Sequence, residues 1–251
     1  MDILQKKNAA SSDWFKMIPG NALMSETGSK RMSLVWMALI MVFAAIYFLL
    51  TFNRTLNTLD EGYLLHNFIK TAAGLVPHRD FYDDYGPGSY WVGAALFHLF
   101  GTKLIVIRVF ALILKTGMAL LIFLIARKLL PPLFSFASGV LFILNWGDPV
   151  QPGINILYAG HLNHFFALMG IFLMILYVEK GRLLWLAGTS LCLGISLLFK
   201  FPTAIIDFMG FAVFVSLKEQ ANEFPGQEDA ATGKKMSLRG LRILKCLGLI
   251  E

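Results

Sequence analysis

Cysteine is almost absent from this chain, since Cys192 and Cys246 are the only two in 251 residues. Neither lies in a segment that we predict to be outside a membrane, so no disulfide framework is indicated. A cleavable signal sequence is not expected either, because the first apolar run is too long for a signal core and follows a mostly polar stretch. We expect that run to be a membrane anchor.

Charged residues are also scarce, at 15% of the chain, and they are unevenly placed. The formal net charge is +6, but the basic residues lie between apolar runs and not along one soluble face. This distribution argues against nucleic-acid binding. It favours a protein whose basic segments border a membrane.

Apolar residues are abundant and clustered. They make up 57% of the chain, which has a mean hydropathy of +0.64, whereas soluble domains are about 45–50% apolar. A helix needs about 20 apolar residues to cross a bilayer. We therefore predict an all-α, multi-pass transmembrane helical bundle of about six spans: 32–52, 104–126, 133–146, 163–178, 183–199 and 203–217. The short spans must extend into their flanks or cross where the bilayer is thin.

The basic residues predict the orientation of these spans. They occur before the first span and after the second, fourth and sixth, which places all of them on one side, the cytoplasm. The outer loops are then 53–103, the larger, and 147–162, which has no Lys or Arg. The predicted organisation is a cytoplasmic basic tail (1–31), a transmembrane region (32–217), a cytoplasmic loop (218–238) and the start of a further apolar segment (239–251), which suggests part of a longer protein.

Five of the chain's 16 acidic residues lie close together in the first outer loop. They are Asp60, Glu61, Asp80, Asp83 and Asp84. Ionised groups are costly in hydrocarbon, so acids gathered beside a membrane face indicate a functional site. Asp60 begins a predicted amphipathic surface helix that ends near Gly74. Its carboxylate is suited to cap that helix or to act as a general base, and the two roles are compatible.

The second half of the same loop is rich in glycine, proline and aromatic residues. Pro77, Gly86, Pro87 and Gly88 predict a shaped loop and not a helix. The aromatic side chains there suit either a belt at the membrane interface or stacking on sugar rings, and the sequence leaves both open. They are Tyr82, Tyr85, Tyr90 and Trp91.

The order of these motifs resembles a known family. An acidic pair follows the first span; then come a surface helix, G-x-x-P-x-x-D-F, an aromatic and acidic turn, G-P-G-x-Y-W, and the run LFHLFGTKLIVIRVFALILKTG. This is similar to the N-terminal half of GT-C-type membrane glycosyltransferases, in particular the branch of protein O-mannosyltransferases and the lipid A aminoarabinose transferase. The resemblance covers roughly residues 32–217.

The resemblance implies transfer of a sugar, with inversion, from a dolichyl- or polyprenyl-phosphate donor to a hydroxyl of a protein or lipid acceptor. It implies that Asp60 is the catalytic base and Glu61 its partner. Arg108 and Lys200 match basic residues of the family, and Lys200 matches one that holds the lipid phosphate, where fixed positive charge stabilises the leaving group. The further substrate-binding residues that we predict are Asp80, Asp83, Asp84, Tyr85 and Tyr90.

One position departs from the family pattern. Asn163 stands where several relatives carry an acid at the start of the fourth span, and His161 and His164 flank it. Two histidines alone are weak evidence for a metal. A divalent ion held by the acids or by this pair stays open, and no other cofactor is expected.

Two readings from other classes also stay open. A transporter would use the intramembrane charges to line a path, although no paired half-repeats are evident. A truncated or non-catalytic relative would bind lipid or partners instead of transferring sugar. General resemblance favours a bacterial inner membrane over the endoplasmic reticulum, while the sugar, the acceptor and the carrier lipid are not indicated.

Overall fold

The computed structural model describes residues 26–51, 60–145 and 157–223. All regular structure in these ranges is helical, apart from one isolated bridge between Pro77 and Phe81. The helices are α1 (Glu26–Thr51), α2 (Asp60–Ala72), α3 (Gly88–Phe100), α4 (Leu104–Ala126), α5 (Pro132–Asn145), α6 (Ala159–Lys180), α7 (Leu183–Leu197) and α8 (Phe201–Glu223). The all-α prediction is confirmed for these residues. The predictions for residues 1–25, 52–59, 146–156 and 224–251 lie outside them.

Within the described ranges, two helices are long and apolar enough to cross a membrane. They are α4, with 23 residues and a hydropathy of 2.5, and α6, with 22 residues and a hydropathy of 1.7. The predicted fourth span does extend into its flanks, because α6 begins at Ala159 and ends at Lys180. Shorter apolar helical stretches occupy Arg31–Tyr47, Pro132–Asn145, Leu183–Leu197 and Phe201–Ser216.

The chain divides into two compact units, Met1–Ile205 and Ile206–Glu251, with the boundary inside α8. In the first unit, α4 is the central helix and packs against α1, α3, α5 and α6. It contributes Ile107, Ala111 and Met118 to one buried apolar cluster, which includes residues of α2 and α3. Further along, it contributes Ala119 and Phe123 to another cluster, shared with α1 and α5.

The acidic loop forms a helical hairpin of α2 and α3. Leu64 and Phe68 lie on the buried face of α2, four residues apart, as an amphipathic helix requires. The Phe68 ring packs directly on Gly93 of α3, where an added Cβ would lie 2.5 Å from the ring. Glycine at this position therefore lets the two helices approach closely.

The Gly-Pro-Gly turn docks on the end of α7 through backbone hydrogen bonds. The Gly86 N–H donates to the Phe199 carbonyl and the Gly88 N–H donates to the Leu198 carbonyl, both at 2.9 Å. An added Cβ would lie 2.3 Å from the Leu198 oxygen at Gly86, and 2.9 Å from it at Gly88. The turn therefore requires glycine at both positions, and it holds the acidic loop beside Lys200.

We expect Gly86→Ala to destabilise the protein, because its new methyl group would displace a backbone carbonyl that cannot rotate away. Overpacking of this kind costs about 1–3 kcal/mol. The measurement is the free energy of unfolding of the protein in mixed micelles. Gly194→Ala is the matched control, because no atom lies within 4 Å of a Cβ built there. Equal stability of the two variants would contradict the docking.

Candidate functional site

Glu61 and Arg108 form a buried ion pair between α2 and α4. Arg108 Nε donates to Glu61 Oε1 and Arg108 Nη2 donates to Glu61 Oε2, both at 2.7 Å. The two side chains are only 2% and 4% exposed. Parallel hydrogen bonds between a guanidinium and a carboxylate are strong and fix orientation. The pair therefore fixes the first turn of α2 against the start of α4.

This pairing bears on the roles that the resemblance implies. The charge of Glu61 is matched by Arg108, so both groups are engaged within the protein. The role of Glu61 as partner of the catalytic base and the role of Arg108 in substrate binding stay predictions. Asp60 precedes Glu61 and is exposed on the same first turn.

Asp83 is a second buried acid, and it organises the loop between α2 and α3. Its Oδ2 accepts a hydrogen bond from Asn67 Nδ2 at 2.7 Å, and its Oδ1 accepts one from the Tyr85 N–H at 3.1 Å. Asn67 lies on the buried face of α2. A buried carboxylate needs such donors to offset the loss of water. Asp83 therefore ties the loop to α2.

Tyrosines surround this carboxylate. Burial first, and then the neighbouring Asp83 carboxylate, raise the pKa of Tyr63 and that of Tyr85. Tyr90 is fully buried in the apolar cluster, and its hydroxyl has no hydrogen-bond partner in the part of the chain that the structure describes. Burial, then the neighbouring Asp83 carboxylate, raises the pKa of Tyr90. These phenols therefore remain neutral hydrogen-bond donors at physiological pH.

Asp80 and Asp84 lie on the exposed side of the loop. Asp80 accepts hydrogen bonds from the Arg79 guanidinium at 2.8 and 2.9 Å and from the Val76 N–H at 2.7 Å, and these bonds, the Arg79 one first, lower the pKa of Asp80 to about 2. Asp84 accepts a hydrogen bond from the Tyr82 hydroxyl at 2.8 Å. Both carboxylates are thus engaged within their own turns.

Asp60 lies near the start of α6. Burial first, and then the neighbouring Asp60 carboxylate, raise the pKa of Tyr158. The charge of Asp60 also contributes to the raised pKa of Tyr85. The loop before α3 and the residue before α6 therefore lie within electrostatic range of Asp60.

Lys200 lies at the junction of α7 and α8, and is partly buried. Within the described residues its side chain forms no ion pair and no hydrogen bond. Its stem packs beside Gly160, where an added Cβ would be 4.0 Å from Lys200 Cδ. Gly160 is two residues after Tyr158, so the start of α6 adjoins Lys200 and lies within electrostatic range of Asp60.

The two histidines of the predicted pair, His161 and His164, have different surroundings. His161 is buried, with its ring edge-on to Tyr158 at 5.5 Å, whereas His164 is exposed and its Nδ1 is bonded to the Gly160 carbonyl. Asn163 is fully buried, with its side-chain oxygen 2.7 Å from Thr203 Oγ1. No group of three or more His, Cys, Asp or Glu within the described ranges is arranged to hold a metal ion.

Tyr158 and Asn67 are contacts of the candidate site that the sequence did not indicate. A single tyrosine before an apolar run has no feature that distinguishes it from an interfacial tyrosine. Asn67 lies on the predicted amphipathic helix, and its place in the buried stripe with Leu64 and Phe68 was the one available signal.

Comparison with protein-family models, curated proteins and solved structures finds no match for this chain.

We expect Glu61→Gln to lower the free energy of unfolding by about 3–5 kcal/mol, because it leaves a buried guanidinium without its carboxylate. Glu179→Gln is the matched control: Glu179 pairs with Lys128 at 2.8 Å, but both side chains are partly exposed, and such pairs contribute at most about 1 kcal/mol. The measurement is unfolding in mixed micelles. A Glu61→Gln loss no larger than that of the control would show that the pair does not anchor α2.

Proposed function

We propose that this chain belongs to a multi-pass membrane enzyme that transfers a sugar from a polyprenyl-phosphate donor to an acceptor hydroxyl. The observation that carries the proposal is that the start of α6 lies near both a carboxylate and a lysine. Asp60 is exposed and its carboxylate contributes to the raised pKa of Tyr158, while the stem of Lys200, a cation without an ion pair in the described residues, packs beside Gly160. A base and a cation near the same turn of α6 suit displacement of a phosphate leaving group.

Exposed apolar side chains support a membrane setting beyond the two long helices. Leu34 of α1 is 64% exposed, Leu141 of α5 is 64% exposed, and Leu183 and Leu184 of α7 are 73% and 74% exposed. Soluble monomers rarely expose contiguous apolar surface on this scale. Hydrocarbon around α1, α5 and α7 accounts for it.

The distribution of charge along α4 and α6 supports the proposed orientation. Arg108 near the start of α4 contacts Glu61 in the first turn of α2, and Tyr158 at the start of α6 lies within electrostatic range of Asp60 in the same turn. At the other ends, Lys128 pairs with Glu179, and Lys180 and Arg182 follow. Basic residues mark the cytoplasmic side. The site then lies on the outer face, in the inner membrane of a bacterium by the general resemblance.

The proposed reaction is a single inverting displacement. Asp60 accepts the proton of the acceptor hydroxyl as its oxygen attacks the anomeric carbon of the sugar. The bond from that carbon to the phosphate oxygen breaks, and polyprenyl phosphate leaves with the electron pair. Lys200 stabilises the charge that develops on the phosphate, and a fixed cation is effective there because it needs no reorganisation.

We expect Asp60→Asn to reduce transfer by about 10²–10⁴-fold, the usual cost of removing a general base. The measurement is transfer from labelled polyprenyl-phosphate sugars in membranes that contain the full-length protein. Glu179→Gln is the comparison, because Glu179 lies at the other end of α6, pairs with Lys128 and should matter far less. Transfer unchanged by Asp60→Asn would remove Asp60 as the base and direct attention to the remaining acids of the loop.

We expect Lys200→Met to raise the KM for the donor and to lower kcat, because a phosphate contact acts both in binding and at the transition state. Loss of a charge-assisted contact of about 1.5–3 kcal/mol corresponds to roughly 10–100-fold in kcat/KM. Lys103→Met is the matched control, since Lys103 is an exposed lysine before α4. Equal kinetics for the two variants would refute a phosphate contact at Lys200.

A further inference from the structure

One side of α6 packs against the segment that joins α7 to α8. The Phe166 ring stacks on the Phe199 ring, with centroids 5.6 Å apart and planes at 10°, and Phe199 is buried. Nearer the start of α6, Gly160 packs beside the stem of Lys200. The aromatic stack therefore fixes the residue immediately before Lys200, while Lys200 itself and the first turn of α8 need other contacts to fix them.

A set of hydrogen bonds supplies those contacts. Thr203 Oγ1 lies 2.7 Å from Asn163 Oδ1 and 3.0 Å from the Lys200 carbonyl oxygen. The same carbonyl accepts the Ala204 N–H at 3.1 Å. Asn163 is fully buried, so water cannot replace its bond to Thr203 if that bond is lost. The Thr203 hydroxyl therefore connects α6 with the backbone of Lys200.

We propose that Asn163 is a positioning residue which, through Thr203, places the Lys200 ammonium group for contact with the phosphate of polyprenyl phosphate. This inference rests on the proposed function, in which Lys200 contacts that phosphate. The charge of a lysine is carried on a flexible four-carbon stem, so it acts at one place only when the base of the stem is fixed. A fixed base also lowers the entropic cost of binding the phosphate.

An amide suits this position better than a carboxylate. Asn163 lies three positions after Gly160, on the side of α6 that adjoins the Lys200 stem. A carboxylate there would accept the same hydrogen bond from Thr203, but its negative charge would repel a phosphate bound at the lysine. Asn163 Nδ2 has no hydrogen-bond partner in the described part of the chain, so its oxygen makes the contact that matters here.

The first test measures how tightly the full-length protein in mixed micelles binds polyprenyl phosphate and polyprenol, the same lipid without its phosphate. We expect Thr203→Val to weaken polyprenyl phosphate binding about three- to tenfold and to leave polyprenol binding unchanged. Thr203→Ser keeps a hydroxyl and should restore the affinity. Thr116→Val is the matched control, because the Thr116 hydroxyl bonds to the Leu112 carbonyl of its own helix at 2.9 Å. Equal affinities of Thr203→Val and Thr116→Val for polyprenyl phosphate, or equal losses for the two lipids, would overturn the proposal.

The second test asks whether Asn163 and Thr203 act through Lys200. We expect Asn163→Leu to weaken polyprenyl phosphate binding as Thr203→Val does. Each loss should fall below about twofold when position 200 already carries Lys200→Met, because residues that act through one group are not additive. Thr203→Val carries this cycle by itself where Asn163→Leu fails to fold. A full loss retained in the Lys200→Met background would overturn the positioning role.

Failure of the proposed function would give a different result. Wild-type protein that binds polyprenyl phosphate no more tightly than polyprenol would overturn the phosphate contact at Lys200, and the positioning role with it. A preference for the phosphate that Lys200→Met abolishes and Thr203→Val leaves intact would overturn the positioning role alone.

Discussion

The arrangement of the candidate site depends on one buried ion pair, between Glu61 and Arg108. Removing two charges from water is costly, and their attraction offsets that cost only when the geometry is good and the hydrogen bonds are made. The bidentate contact at 2.7 Å meets that condition. Because Glu61 is fixed to α4, the first turn of α2, which also carries the exposed Asp60, is fixed with it.

The acids of the loop divide into two groups by their surroundings. Glu61 and Asp83 are buried and each accepts hydrogen bonds from another segment, so Glu61 fixes α2 to α4 and Asp83 fixes the loop to α2. Asp60, Asp80 and Asp84 are exposed, and Asp60 is the one whose carboxylate contributes to the raised pKa of Tyr158, at the start of α6. Acids that look equivalent in the sequence therefore differ in what they contact, and Asp60 is the one on which the proposed chemistry depends.

The backbone of the Gly-Pro-Gly turn connects the acidic loop to the segment that carries Lys200. Its two hydrogen bonds to residues 198 and 199 fix the loop against the end of α7, next to the lysine. Backbone contacts of this kind depend on the absence of a side chain and not on side-chain chemistry. The turn thereby links the acidic loop to the cation without using a charged group.

Much of the helical framework could be predicted from the sequence, because apolar runs and their boundaries are local signals. The start of α2 at Asp60 and the bounds of α4, 104–126, agree with the structure. The pairing of Glu61 with Arg108 could not be predicted, because the two residues are 47 positions apart and nothing local links them. Contacts between distant segments, that of Gly86 with Phe199 included, depend on how helices pack and not on a motif.

The most direct test of the account is a structure of the full-length protein with a polyprenyl-phosphate sugar bound. The account predicts the donor phosphate within hydrogen-bonding distance of Lys200 Nζ. It also predicts the anomeric carbon on the side of the sugar that faces Asp60, with room for an acceptor hydroxyl between them. A phosphate bound away from Lys200, or a sugar that Asp60 cannot approach, would contradict the central claim.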